Sequence, residues 1–210
     1  MKNYLSEYLG TFVLVYCGTG AITIDEVTKG SIIHLEVAMS FGLIVMAMIY
    51  TFGNKFGAHL NPAVTIAFAT HSTFDKRAVV PYISSQFSGA IAASYSLKYL
   101  FPGSLMLGAT IPAGSELPSF ILECILRFLL MLVILNVAHG SKEQGLFAGT
   151  AIGVVALEAI FAGPICGAWM NPARYLSPAL AGGHFQSRWL YFAAPILGML
   201  SSTAINKLNK

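Results

Sequence analysis

The chain has 210 residues, of which 56% are hydrophobic and only 10% are charged. Soluble domains carry about a quarter charged residues, so this composition predicts a protein that is surrounded mostly by lipid. The net charge of +3 is small and includes no basic run, which argues against nucleic acid as a partner. No linker or low-complexity tract divides the sequence, and we therefore expect a single membrane domain over residues 1–210.

The N-terminus and the cysteines give two further expectations. Met1-Lys2-Asn3 leads directly into an apolar stretch that is too long for a cleavable signal sequence, so the first span should remain in place. The short ends argue against large regulatory tails. Cys17, Cys124 and Cys166 lack the spacing of a metal site or redox pair, which predicts buried thiols, no metal site and no other cofactor.

Six apolar stretches are long enough to cross about 30 Å of hydrocarbon as helices. They are Tyr4–Ile24, Ile32–Phe52, Val79–Phe101, Phe120–Ala138, Gly145–Pro164 and Trp189–Asn206. Backbone polar groups in lipid must be satisfied within each segment, which predicts an all-α membrane protein.

Two further apolar stretches, Asn61–Thr70 and Asn171–Ala181, are too short to span. A helix of this size is about 15 Å long, or half the membrane. Such segments are predicted to enter as re-entrant half-helices that are buried in protein or line a wet cavity.

The two halves of the chain, approximately 1–105 and 115–210, resemble each other. Equivalent positions hold Glu7 and Glu123, and the runs Gln86–Gly89 and Pro195–Gly198. Each half contains three spans and one short apolar stretch. Because three is an odd number, the second copy must run opposite to the first, which predicts an inverted repeat with its site near the membrane midplane.

The distribution of positive charge predicts the orientation. With the N-terminus inside, the inner side holds Lys2, Lys55, Lys76, Arg77, Lys142, Lys207 and Lys210. The outer side holds Lys29, Lys98 and Arg188. This excess predicts a multi-pass protein of the cell membrane with both termini in the cytoplasm.

The tripeptide Asn-Pro-Ala begins both short apolar stretches. The two copies are Asn61-Pro62-Ala63 and Asn171-Pro172-Ala173. Asn is a favoured N-cap and Pro suits the first helical position, so one copy alone would be an ordinary helix start. Two copies in opposite halves predict two half-helices whose positive ends meet at mid-membrane and repel cations. A water that accepts an amide N–H from both Asn side chains cannot relay a proton onward, so this arrangement would pass water and block protons.

Arg174 directly follows the second copy. A cation in the first turn of a helix opposes the helix dipole, and a charge inside a membrane segment is rare and functional by default. The predicted role is a pore-lining donor that orients solutes and repels cations. The alternative is a structural arginine that is tied to loop carbonyls.

The paired Asn-Pro-Ala motifs, Arg174 and the six-span inverted repeat resemble the aquaporin, or major intrinsic protein, family over essentially the whole chain. The resemblance implies a membrane channel domain rather than an enzyme, and a homotetramer in which each subunit has its own pore. It also implies a narrow filter outward of the Asn pair, formed by Phe41, Ala159, Ala168 and Arg174. Glu7 and Glu123 are expected to hold the half-helix loops, and His59 to brace its own loop, with pH sensing as an alternative for His59.

Two filter positions depart from the pattern of strict water channels. Ala159 stands where those channels typically carry His, and Ala168 is also small. A methyl group in place of a ring should widen the constriction, so we expect a passive channel for water and for somewhat larger uncharged solutes. The run Gly163–Asn171 also resembles the nodulin-like branch and its bacterial relatives, some of which pass glycerol or metalloid hydroxides. A facilitator of glycerol, arsenite or boric acid with water as a secondary substrate therefore stays open, although Tyr175 stands where glycerol facilitators carry Asp.

The sequence leaves the role of Arg127 open. Glu123 lies four residues before it, in the order that pairs best along one helix face, but Arg127 could instead face a neighbouring subunit or the pore. Glu158, next to Ala159, is expected to be structural rather than to contact solute. An enzyme is disfavoured because no nucleophile with partners and no pair of carboxylates at useful spacing is found. A coupled transporter would need a titratable group where the repeats meet.

Overall fold

The computed structural model describes residues 2–53, 57–109, 111–138 and 147–208. Within these ranges the chain forms nine α-helices and no β-strand, in agreement with the predicted all-α class. The helices are α1 (Lys2–Thr28), α2 (His34–Met48), α3 (Pro62–His71), α4 (Val79–Leu100), α5 (Glu116–Ala138), α6 (Ala148–Ala156), α7 (Ala159–Cys166), α8 (Pro172–Gly182) and α9 (Arg188–Leu208). A π-helical turn over Ile49–Gly53 extends α2, and a 3-10 turn over Lys76–Ala78 precedes α4.

Three helices in the described ranges are long and apolar enough to cross a bilayer, namely α1, α2 with its π-helical turn, and α5. Helices α6 and α7 make a fourth crossing if the bent pair is one span. Helices α4 and α9 have 22 and 21 residues and therefore sufficient length, but they include more polar side chains. These elements lie where the six spans were predicted.

The fifth predicted span differs from the expectation of one continuous helix. A turn at Leu157 and Glu158 separates α6 from α7, and the two helices are bent by 42°. Within α7, Pro164 has no backbone N–H to donate to the carbonyl of Ile160. Gly145, the predicted first residue of this span, lies outside the described residues, as do the predicted inner-side charges Lys55, Lys142 and Lys210.

The two short helices begin and end within one residue of the predicted stretches. Asn61 and Asn171 are the N-caps, and each is followed by a proline at the first helical position. Ser72 and Gly183 end α3 and α8 in the left-handed conformation, with φ angles of 68° and 82°. The sequence thus encodes locally the start of both half-helices and the end of α8 at Gly183.

Matching glycines bring the long helices of each half into close contact. A Cβ atom on Gly89 of α4 would lie 2.2 Å from the carbonyl oxygen of Tyr8 in α1. A Cβ atom on Gly198 of α9 would lie 2.3 Å from the carbonyl oxygen of Cys124 in α5. Tyr8 and Cys124 each follow one of the two equivalent glutamates. The same backbone crossing therefore occurs in both halves, as an inverted repeat requires.

Candidate pore

The two Asn-Pro-Ala motifs face each other and are joined by reciprocal hydrogen bonds. Asn61 Nδ2 donates to the carbonyl oxygen of Met170 at 2.9 Å, and Asn171 Nδ2 donates to the carbonyl oxygen of Leu60 at 2.7 Å. Each Oδ1 atom accepts the N–H of the alanine two residues later, at 2.9 Å in both motifs. An amide nitrogen carries two hydrogens, so each Asn retains one for another acceptor.

Each half-helix is preceded by a loop whose backbone N–H groups bind a buried glutamate. Glu7 accepts from the N–H groups of His59 and Leu60, both at 2.8 Å. Glu123 accepts from those of Trp169 at 2.7 Å and Met170 at 3.3 Å. The carboxylates satisfy donors that would otherwise be buried without a partner.

These loops include residues in the left-handed region that favours glycine. Leu60 and Met170, which directly precede the two Asn N-caps, have φ angles of 53° and 61°. A non-glycine residue persists in this conformation only when its surroundings hold it there. Hydrogen bonds hold both residues in this conformation. Their N–H groups donate to the glutamates, and their carbonyl oxygens accept from the Asn amides.

His59 lies in an aromatic pocket beside the first half-helix. Its Nδ1 is 3.1 Å from Thr65 Oγ1, and its ring packs 4.8 Å from Phe68, 4.7 Å from Phe74 and 5.1 Å from Tyr82, between centroids. Thr65 Oγ1 also accepts from Gln86 Nε2 at 2.9 Å, and the same nitrogen donates to Glu7 at 2.7 Å. His59 is thereby connected to the glutamate that binds its own backbone N–H.

Arg174 is buried between a loop carbonyl and two aromatic rings. Its Nη1 donates to the carbonyl oxygen of Ala168 at 3.0 Å. The central carbon of the guanidinium lies 4.2 Å from the ring centroid of Phe41 and 4.8 Å from that of Trp169, within the range of cation–π attraction. Both sequence-based interpretations of Arg174 therefore have a geometric counterpart, because the side chain is tied to the loop and also lines a cavity.

The rings beside Arg174 are themselves held by small or aromatic neighbours. A Cβ atom on Gly18 of α1 would lie 2.0 Å from Cε1 of Phe41, so only glycine leaves room for this ring position. Trp169 packs against Tyr175 and Tyr191, with ring centroids 5.2 and 5.3 Å away. Tyr175 therefore lies in a packed aromatic cluster behind the loop.

Two cavities lie along the predicted path of water and solutes, past the Asn pair and the filter positions. The larger, which we call the long cavity, has a volume of about 440 Å³ and is lined by both Asn side chains, His59 and Phe68. The smaller, which we call the outer cavity, has a volume of about 180 Å³ and is lined by Asp25 and His34. Asn61, Asn171 and His59 thus all line the same cavity.

Four residues line both cavities, and in the part of the chain that the structure describes they are the only ones to do so. They are Phe41, Ala159, Ala168 and Arg174, the four positions that the family resemblance implies for the filter. We call this set the neck. A ring and a guanidinium thus lie at the junction of the cavities together with two methyl groups.

Two features near the neck were not foreseen from the sequence. Arg127 forms an ion pair with Glu158 at 2.6 Å and not with Glu123, whose oxygens are occupied by loop N–H groups. His34 Nε2 lies 3.1 Å from the carbonyl oxygen of Ala159 and 2.8 Å from that of Ile160. The i, i+4 spacing could indicate only a pair within α5, and nothing local to His34 indicates a contact with α7.

The cysteines lie away from this path. Cys166 is fully buried, and its Sγ is 3.4 Å from the carbonyl oxygen of Ala162. None of Cys17, Cys124 and Cys166 lines either cavity. Within the described ranges, no group of three His, Cys, Asp or Glu residues is arranged to hold a metal ion.

Comparison with known proteins identifies the family. The family model described as "Major intrinsic protein" matches residues 1–205. Aquaporin NIP1-1 of Oryza sativa subsp. japonica is 42% identical over 203 residues, which cover 96% of this chain and 72% of that protein. Nodulin-26 of Glycine max is 38% identical over 203 residues, covering 96% of this chain and 75% of that protein.

A solved structure shows the same fold. The X-ray structure of the aquaglyceroporin from Plasmodium falciparum matches this chain with a TM-score of 0.84 and 26% identity. The match covers 97% of this chain and 93% of the other. Proteins of this family are membrane channels and not enzymes. The chain therefore belongs to the major intrinsic protein family of aquaporin and aquaglyceroporin channels.

Proposed function

We propose that this channel passes water and small uncharged solutes somewhat larger than water down their gradients, and that it excludes protons and ions. The observation that carries the proposal is the composition of the neck, where two of the four residues shared by the cavities are alanines. Ala159 and Ala168 contribute only methyl groups beside Phe41 and Arg174, and they offer no hydrogen-bonding ring.

Proton exclusion is assigned to the Asn pair. Helices α3 and α8 begin at Asn61 and Asn171, so each presents the positive end of its dipole, equivalent to about half an elementary charge, to the long cavity. The remaining amide hydrogen of each Asn donates to a passing water oxygen. A water oriented in this way donates outward in both directions and breaks a proton relay.

Cation exclusion at the neck is assigned to Arg174. Its guanidinium is fixed by Ala168 and by the Phe41 ring, so its charge has a defined position at the junction of the cavities. A fixed positive charge in a low-dielectric passage raises the energy of an entering cation. The same N–H groups bind acceptor oxygens of neutral solutes.

The supporting residues have separate roles in this proposal. Glu7 and Glu123 hold the loops that place the Asn pair, and His59 braces the first loop through Thr65. The half-buried position of His59, packed against three rings, favours a bracing role over pH sensing.

A second candidate function keeps the same pore but changes the main substrate. The two methyl groups of the neck also suit a facilitator of glycerol, arsenite or boric acid in which water is secondary. The names of similar proteins include both kinds of channel. Two sequence relatives are called aquaporin and nodulin-26, and the structural neighbour is called an aquaglyceroporin.

Assembly and location follow the family expectation. We infer a single channel domain per chain, built from repeats over approximately 1–105 and 115–210, and a homotetramer with one pore per subunit. We place it in the cell membrane with both termini cytoplasmic. Native mass spectrometry of the detergent-purified protein should give the mass of four chains, and a terminal tag should be cleaved by protease only in inside-out vesicles.

Stopped-flow light scattering on proteoliposomes tests the function. The expected result is rapid water flux together with flux of glycerol, arsenite or boric acid, linear in the gradient and indifferent to proton or sodium gradients. Rapid water flux with none of these solutes would refute the wider pore. Dependence on an ion gradient would instead indicate a coupled transporter.

A further inference from the structure

A charged pair lies buried beside the neck and has no role in the function described above. Arg127 of α5 and Glu158 of the turn between α6 and α7 are joined by Nη2 and Oε1 at 2.6 Å. The Arg127 side chain is fully buried, and only 8% of the Glu158 side chain is exposed. Charges at this depth in a membrane protein are costly and are retained mainly where they serve a function.

Stability alone does not account for the pair. A buried ion pair often contributes no more than well-packed apolar side chains of the same volume, because both charges lose their hydration. The pair therefore specifies a geometry more than it stabilises the fold.

The geometry that it specifies is the start of α7. Glu158 is the last residue of the turn at which the span bends by 42°, and Ala159 of the neck is the next residue. Arg127 approaches from α5 and itself lines the long cavity. The ion pair thus connects the cavity wall on α5 directly to the residue that precedes the neck alanine.

Other contacts also hold α7, and one of them, between His34 Nε2 and the carbonyl oxygen of Ala159 at 3.1 Å, acts at the same end of the helix as the ion pair. His34 Nε2 lies 2.8 Å from the carbonyl oxygen of Ile160, the acceptor that Pro164 cannot reach with a backbone N–H. Tyr191 donates its hydroxyl to the carbonyl oxygen of Cys166, at the far end of α7, at 2.8 Å. Among the described residues, the ion pair is the side-chain contact that ties Glu158 itself to α5.

We propose that Arg127 and Glu158 are specificity-determining positioning residues of the pore. Their ion pair fixes the start of α7, sets the width of the neck at Ala159, and thereby sets the ratio of solute to water permeability. Glu158 also neutralises the charge of Arg127, so that Arg174 remains the effective cation of the neck. This inference rests on the proposed function, in which the neck selects solutes.

The test compares permeability ratios in purified, folded variants. Glu158→Gln keeps the side-chain volume and one acceptor oxygen but removes the charge. The double variant Arg127→Gln/Glu158→Gln removes both charges and leaves no unpaired ion. We expect each to change the glycerol-to-water ratio by at least about twofold, the smallest coupling typical of residues in contact. Glu36→Gln, an exposed acid at the start of α2 that lines neither cavity, serves as the control and should keep the wild-type ratio.

A double-mutant cycle shows whether the pair acts through the neck. Ala159→Val is combined with Glu158→Gln, and the effects on the permeability ratio should be non-additive by at least about twofold. A purely structural pair would lower the melting temperature of the variants but leave the ratio unchanged, and that result would overturn the inference. Additive effects in the cycle would overturn it as well.

The outcome is distinguishable from failure of the proposed function. If the wild-type channel passes water but no glycerol, arsenite or boric acid, the proposed function fails and this inference fails with it. If the wild-type channel passes such solutes and the folded pair variants keep the wild-type ratio, only the present inference is refuted.

Discussion

Asn61 and Asn171 each hold the loop that precedes the other. The amide of Asn61 binds the carbonyl oxygen of Met170, and the amide of Asn171 binds that of Leu60. The two half-helices therefore cannot separate without breaking both bonds. One amide hydrogen of each Asn remains available to the long cavity.

Replacing Asn61 by Ala should destabilise this junction. The change removes the N-cap, which contributes about 1–2 kcal/mol, and the bond to Met170, which contributes about 1 kcal/mol. We expect a lower melting temperature in detergent and a lower water permeability per channel. Asn136→Ala is the control, because among the described residues its amide binds a carbonyl of its own helix, at 2.7 Å, and its side chain is exposed. Equal melting of Asn61→Ala and wild type would contradict the assigned contacts.

Glu7→Gln should weaken the loop that contains His59 and Leu60. The glutamate accepts from two backbone N–H groups and from Gln86, whereas a glutamine has only one acceptor oxygen and presents its NH₂ group to a donor. Losing a hydrogen bond to a charged group costs about 1.5–3 kcal/mol, so the melting temperature should fall clearly. The exposed Glu36→Gln variant should melt close to the wild type. A larger loss for Glu36→Gln than for Glu7→Gln would argue against the role of Glu7.

Gly18→Ala should displace the Phe41 ring and so alter the neck. The added methyl carbon would lie 2.0 Å from Cε1 of Phe41, so the ring must move from its position over Arg174. We expect water and solute permeability to change together with the melting temperature. In Gly20→Ala, two residues further along the same helix, the nearest atom is at an ordinary 3.4 Å, and permeability should be retained. Equal behaviour of the two variants would show that the ring position does not control the pore.

Thiol reagents offer a test of which side chains line the path. Cys17, Cys124 and Cys166 line neither cavity, so a charged, membrane-impermeant thiol reagent should leave wild-type water flux unchanged. Ala168→Cys places a thiol in the neck, and the same reagent should then block the flux. Inhibition of the wild type, or insensitivity of Ala168→Cys, would mean that the path is wrongly assigned.

Much of the architecture could be predicted because its signals are local. Asn and Pro define the start of each half-helix within the sequence itself, and α3 and α8 begin where these residues predicted. The four neck positions were implied by the resemblance to the major intrinsic protein family, in which the filter positions stand at fixed distances from these motifs. Their placement at the junction of the two cavities was therefore accessible from the sequence.

The break between α6 and α7 could not be predicted in the same way. It involves contacts between residues that are distant in sequence, above all Arg127 with Glu158 and His34 with the carbonyl oxygen of Ile160. The spacing of Glu123 and Arg127 allowed a pair within one helix as one of several open possibilities, but Glu123 is already occupied by the loop N–H groups. Tertiary competition for the same carboxylate thus overrode the local pattern.

The central claim is that the neck sets which neutral solutes accompany water, and replacement of Ala159 tests it most directly. Water, glycerol and boric acid permeability are measured by stopped-flow light scattering for the wild type, Ala159→Val and Ala159→His at equal protein content. We expect solute permeability to fall progressively with side-chain size while water permeability changes much less. Unchanged solute permeability in folded Ala159→His, or an equal loss of water and solute, would contradict the claim.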